Sequence, residues 1–359
     1  MFFKKISMLI SITPLIGSLN YQQLSNFKMG GWACSIETNK DENFEVETGS
    51  ITIDKYDDST IKVNEHNYST RQDTLHVYYN DTSTEQKTFN GTWPRGILNC
   101  TYRDYLEKDF RYTKDKSNVN LTTVTDGGFL SQPYTSTGLL KTNGSEFGSC
   151  FLLSNGYALT AAHCIYLNGG YHPNLTATFR FNSDSYYTKT VRITNAYLPK
   201  GWINLNPSNS NNEDAIPTET QKNVDWAILK FDDSTLPQTF GATTIASNIT
   251  ITQHTHYISL GYPQIRNFKL TYSLGTDYIS QTKYRYNLYT SVRGGMSGGP
   301  LIGLYDEFDE RIQDFTYYNY IIGINSTQEP DTDDNMYYDW SGFTRITNTM
   351  IDIIGGLSA

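Results

Sequence analysis

A chain of 359 residues, 38% hydrophobic and 14% aromatic, is long and apolar enough to bury more than one core. Its formal net charge of −9 argues against a nucleic acid or an anionic membrane as partner, since either needs a broad basic face. Four cysteines without a Cys-x-x-Cys pair argue against a zinc site, and no metal or other cofactor is expected.

The chain opens with Lys4 and Lys5 ahead of an apolar stretch from Ile6 to Leu19 that Pro14 interrupts. About 14 residues is too short to span a bilayer, and residues 1–19 read as a signal peptide for secretion. Cysteine usage fits an oxidising compartment. Residues 20–125 differ in character, with alternating stretches such as Gly49 to Lys55, Thr60 to Asn64 and Thr74 to Tyr79 between polar turns. That alternation predicts a small antiparallel sheet, stapled by a Cys34–Cys100 disulfide. Its role is open between a removable propeptide, a structural appendage and a binding module built on Trp32 and Trp93. Nine Asn-x-Ser/Thr sequons are spread over the chain, the last at Asn325.

Further on, Phe151-Leu152-Leu153 and Tyr157-Ala158-Leu159 flank Asn155-Gly156, the pattern of a β-hairpin. Cys150 and Cys164 then stand on neighbouring strands, close enough for a disulfide that holds His163 in place. Trp202 to Lys222, rich in Asn, Pro and Ser, reads as a long surface loop. Asp225 opens the apolar strand Trp226-Ala227-Ile228-Leu229. In Gly294-Gly295-Met296-Ser297-Gly298-Gly299-Pro300 a serine sits among four glycines, on backbone free to take φ > 0, so that several N–H groups can point at one spot beside its hydroxyl. Asp306 to Glu310 and Asp331 to Asp334 lack the glycine and distal glutamate of an EF-hand and read as solvated loops. Near the end, apolar residues at 346, 350, 353 and 354 share one helical face.

Taken singly, these motifs have ordinary explanations: a Gly-rich turn, a structural histidine, a capping aspartate. Together they supply a nucleophile, a base and an orienting carboxylate in the order His163, Asp225, Ser297. A serine hydroxyl is a poor nucleophile at neutral pH and needs a base to take its proton. Histidine, with an ordinary pKa near 6.5, can take that proton and return it to a leaving group. A buried carboxylate fixes the imidazole tautomer and stabilises the imidazolium.

On Thr160-Ala161-Ala162-His163-Cys164, Asp225-Trp226-Ala227-Ile228-Leu229 and Gly295-Met296-Ser297-Gly298-Gly299-Pro300, the chain resembles the trypsin-like, chymotrypsin-fold serine proteases, in particular their V8-like (glutamyl endopeptidase-like) branch. Gln132 to Gly138, Gly261-Tyr262-Pro263, Tyr320 to Asn325 and the closing Thr344 to Ile354 agree in position. The resemblance implies an all-β fold of two six-stranded antiparallel β-barrels, about 130–235 and 238–343, with a C-terminal helix. The small β-rich region precedes a protease domain at 126–359. It implies His163, Asp225 and Ser297 as catalytic residues, the N–H groups of Gly295 and Ser297 as the oxyanion hole, and Ser291, Val292 and Asn325 in the substrate pocket.

The sequence also departs from the family pattern. Met296 stands where digestive members carry an aspartate that pairs with a newly cleaved N-terminus, so that zymogen switch is not expected. Asn325 replaces the histidine of glutamate-specific relatives, and Ser291 is not the aspartate of trypsin. A neutral or mildly polar pocket is expected, with Arg293 and Gln328 near its rim. The reading is a secreted, monomeric serine endopeptidase acting on protein or peptide substrates through an acyl-enzyme. The alternative is a catalytically silent secreted binding protein on a protease scaffold. An esterase of another fold could share Gly295 to Gly299, but it places its histidine last.

Overall fold

The structure is a computed structural model that describes residues 34–38, 59–92, 121–124, 133–179, 188–205, 222–251, 256–275, 277–309, 314–329 and 340–357. The leader at 1–19, Cys100 and the side chain of Cys34 lie outside the described residues, and with them the expected Cys34–Cys100 bridge.

The N-terminal part supplies β1 (Cys34–Thr38), β2 (Thr60–Asn67), β3 (Gln72–Tyr79), β4 (Thr88–Phe89) and β5 (Leu121–Thr123). The first half of the protease-like region follows as β6 (Thr137–Thr142), β7 (Ser145–Leu152), β8 (Tyr157–Thr160), the short β9 (Tyr166–Leu167) and β10 (Gly170–Tyr171), β11 (Leu175–Phe179), β12 (Lys189–Pro199), helix α1 (Lys200–Leu205) and β13 (Ala227–Phe231). Helix α2 (Leu236–Phe240) and β14 (Ile245–Ala246) lead into the second half. That half holds β15 (His256–Gly261), β16 (Thr271–Gly275), β17 (Asp277–Gln281), β18 (Arg285–Tyr289), β19 (Pro300–Asp309), β20 (Asp314–Glu329), β21 (Trp340–Arg345) and the C-terminal helix α3 (Asn348–Gly356).

In the first half, β6, β7, β8, β13, β12 and β11 pair in that order, and β11 pairs back onto β6, giving a closed six-stranded barrel. Its β7–β8 hairpin turns at Ser154-Asn155-Gly156, with the Leu153 N–H bonded to the Tyr157 carbonyl and Gly156 at φ 85°. A three-residue loop ending in a left-handed residue suits strand twist, which is why Asn-Gly marks it. On the two faces of its strands, Leu139, Phe151 and Leu159 on one and Leu140, Ala177 and Phe179 on the other are fully buried. Side chains of this size stabilise by about 1.5–3 kcal/mol each when removed from water, apart from alanine.

The second half repeats the strand order: β15 pairs β16, while β17–β18, β21, β20 and β19 run round to β15. Among the described residues no ladder joins β16 to β17 or β18, so this sheet is a half-barrel, which together with the closed first barrel is consistent with the expected double-barrel fold. β5 pairs along the other edge of β16, from Thr271 to Ser273. Side chains bridge the gap instead: Ser273 Oγ and Thr290 Oγ1 are 2.8 Å apart, and the Ser291 N–H donates to Ser273 Oγ at 3.0 Å.

The expected C-terminal helix is present. It begins at Asn348 because Thr347, in extended conformation, caps it through a bond from the Met350 N–H. Ile346, Met350, Ile353 and Ile354 are all buried, as their spacing required.

The N-terminal strands do not stand apart from these sheets. β2 pairs with the far end of β12, Asn67 opposite Asn195 through Val63 opposite Pro199. β4 pairs with β14, and the segment between β3 and β4 runs along α3.

Candidate active site

The small residues Ala161 and Ala162 are fully buried and carry the chain from β8 into one 3-10 turn, Ala162–Cys164, that displays His163. Asp225, just ahead of β13, is 1% exposed. Its Oδ1 accepts the His163 backbone N–H at 3.0 Å and its Oδ2 accepts from His163 Nδ1 at 2.8 Å. Ser326 Oγ donates to the same Oδ2 at 2.6 Å, and Thr344 Oγ1 donates to the Asp225 carbonyl at 3.1 Å.

This wiring sets the charges. Burial opposes ionisation of the Asp225 carboxyl, but the facing imidazolium and the three donors outweigh it and hold the group below the ordinary aspartate value. Burial likewise opposes protonation of His163, and the Asp225 charge overrides it, placing the imidazole well above an ordinary histidine. His172 lies beside the same turn with a hydrogen bond to the His163 backbone; burial and the His163 charge push its own pKa down.

Ser297 comes from the second half, in the loop between β18 and β19. Its carbonyl accepts the Ser149 N–H of β7 at 2.8 Å and lies 3.6 Å from the Cys164 thiol, so the loop is seated on the turn that carries His163. No hydrogen bond joins the His163 ring to the Ser297 hydroxyl. Gly298 permits the seating: a Cβ there would lie 2.1 Å from Thr160 Oγ1 and 2.2 Å from the Ser149 carbonyl, and its φ is +84°. Within the loop the N–H groups of Met296, Gly298 and Gly299 bond to the carbonyls of Arg293, Asn325 and Met296. Those of Gly295 and Ser297 have no acceptor among the described residues, which leaves two donors beside the serine for a ligand oxygen.

The expected Cys150–Cys164 disulfide is absent; both are buried free thiols. The residue on β7 that faces Cys164 is Gly148, whose Cβ would stand 3.0 Å from Cys164 Sγ. Cys150 is two residues further along the strand, with its sulfur beside Gly138. Cys164 lies in the 3-10 turn and not on a strand neighbouring β7, and its sulfur sits over Gly148 and not Cys150.

Of the three expected pocket residues, Ser291 stays partly exposed, while Val292 is 2% exposed and packs in the second core. Asn325 is fully buried, and its amide is bonded to carbonyls behind the serine loop, so it does not face a pocket. Arg293 and Gly294 line a shallow groove with Gln264 and Ile265, and the Gln328 side chain lies outside the described residues. Trp202, expected in a surface loop, is 1% exposed in α1, donates from Nε1 to the Tyr166 carbonyl and packs its ring 6.4 Å from that of His163.

Sequence reasoning missed Ser149, His172, Trp202 and Ser326. The one usable signal was for Ser326, which follows directly on a strand already matched to the family.

Residues 148–307 match the family model described as the trypsin-like peptidase domain, a span that contains His163, Asp225 and Ser297. Among solved structures, the chain is similar to a Glu endopeptidase in complex with MPD, at 19% identity and a TM-score of 0.50, covering 67% of this chain and 97% of that one. No curated protein sequence matches. Residues 148–307 are thus similar to the trypsin-like peptidase domain, and the fold is consistent with a chymotrypsin-like double β-barrel, its second sheet a half-barrel among the described residues.

Proposed function

We propose that this chain is a secreted serine endopeptidase of the V8-like branch that cleaves peptide bonds through an acyl-enzyme. The observation that carries the reading is the double contact of buried Asp225 with His163, at 3.0 and 2.8 Å, beside a serine loop holding two unbonded N–H groups. Ser297 Oγ attacks the scissile carbonyl carbon while His163 Nε2 takes its proton. The carbonyl oxygen gains the negative charge, and the N–H groups of Gly295 and Ser297 receive it. His163 then gives its proton to the leaving amine as the C–N bond breaks. Water repeats the sequence on the ester, releasing the acid and restoring the serine.

Asp225 holds the imidazole with Nδ1 protonated, so Nε2 is the atom that faces the chemistry. The family's glutamate selectivity is not carried over, because the Asn325 amide is committed within the protein. A neutral P1 side chain suits Ser291.

The test is Ser297→Ala assayed on an unfolded protein substrate. Hydrolysis is expected to fall by about 10⁴-fold or more with the circular dichroism spectrum unchanged. Cleavage at the wild-type rate by that variant would remove the proposal.

A further inference from the structure

The two unbonded N–H groups belong to peptide units whose carbonyls are each tied down. A trans peptide is planar, so its C=O and N–H point in opposite directions, and anchoring one aims the other. The Gly294 carbonyl, which shares a plane with the Gly295 N–H, accepts from the Gln264 N–H at 2.8 Å. The Met296 carbonyl, which shares a plane with the Ser297 N–H, accepts from Asn325 Nδ2 at 3.0 Å and from the Gly299 N–H at 3.0 Å. Between them, the Gly295 carbonyl accepts from Ser149 Oγ at 2.8 Å.

Asn325 is well placed for this task. Its Nδ2 also donates to the Leu260 carbonyl at 2.7 Å, and its Oδ1 accepts from Ser259 Oγ at 3.0 Å, which sets the amide so that nitrogen and not oxygen faces the loop. Its backbone bonds to Gly298 and Gly299 on either side, each at 2.8 Å. Asn325 thus ties β15, β20 and the serine loop at one point. Met296, beside the nucleophile, is fully buried and uncharged, so its side chain cannot pair with a chain terminus.

We propose that Asn325 is a positioning residue that aims the Ser297 N–H into the oxyanion hole, making the hole preformed without any newly freed N-terminus. The inference rests on the endopeptidase reading above. Asn325→Leu keeps the branched heavy-atom shape and removes the amide; Ser259→Ala releases the amide to flip. With sites counted by active-site titration, Asn325→Leu is expected to lower kcat about 10- to 100-fold at nearly constant KM, and Ser259→Ala to lower it several-fold. Losing a whole oxyanion donor typically costs 10²–10³. Affinity for a peptide aldehyde, whose adduct places an oxyanion in the hole, should fall by the same factors, while affinity for an unreactive peptide of the same sequence should not change. Folding damage alone would reduce the titrated fraction and leave kcat per site intact. Should Asn325→Leu fail to fold, Ser259→Ala decides. Unchanged kcat and aldehyde affinity in a folded variant of an active wild type would overturn the inference alone; a wild type inert towards peptide bonds would take the endopeptidase reading with it.

Discussion

At the scale of single residues, Asp225 does three things with two oxygens: it fixes the His163 backbone, fixes the His163 ring, and accepts from Ser326. Its negative charge is what raises the imidazole above an ordinary histidine against the pull of burial. Because His163 must be neutral to act as base, activity should fall on acidification with a midpoint above the usual histidine value. Asp225→Asn removes that charge, so the acid limb of kcat/KM should move to lower pH while kcat drops about 10⁴-fold. A pH–rate profile of the two proteins checks both; an unmoved acid limb would contradict the assignment. The contact of Asp225 with His163 was legible in the sequence because each sits in a short motif of characteristic small or apolar neighbours. Ser149, Ser326 and the bracing role of Asn325 were not, since a serine or asparagine in a strand carries no mark of what its side chain will meet.

At the scale of elements, register explains what residue types could not. The pairing of β20 with β21 slips between Asn325 and Thr327, a bulge that takes Ser326 out of the ladder at the point where its hydroxyl reaches Asp225. The serine loop is held by contact with β7 and β8, and Gly298 is its point of closest approach. Gly298→Ala meets both a positive φ and a backbone obstruction, and it should destabilise the protein by about 1–3 kcal/mol or more, read by urea unfolding. Neutral stability in that variant would mean that the loop is seated otherwise. The hairpin at Asn155-Gly156 and the helical face of α3 were visible as local periodicity. The rung of β7 that faces Cys164 was not, because one step of two residues keeps the face and changes the neighbour.

At the scale of the molecule, the N-terminal segment clasps both halves. β2 extends the first sheet, β5 occupies the free edge of β16, and residues 80–92 run along α3 and the linker between the halves. Asn348, 1% exposed, donates to the Ser83 hydroxyl and to the carbonyls of Ser83 and Glu85, and it accepts from Ser247 Oγ. Asn348→Leu strands these buried partners and should cost about 2–4 kcal/mol. Lys87→Ala breaks ion pairs to Asp81 and Asp352 that are partly exposed, and should cost no more than about 1 kcal/mol. Thermal unfolding of the two variants checks the ranking. Strand pairings between residues more than a hundred positions apart leave no trace in local periodicity, which is why 20–125 read from sequence as a separate region. The pairing of β5 with β16 was hidden for the same reason.

The most direct measurement is reaction of the intact chain with a fluorophosphonate, followed by mapping of the modified peptide. A stoichiometric adduct on Ser297, lost in His163→Ala and slowed as pH falls, is the predicted result. An unmodified Ser297 under conditions where the folded protein is present, or an adduct on a different serine, would contradict it.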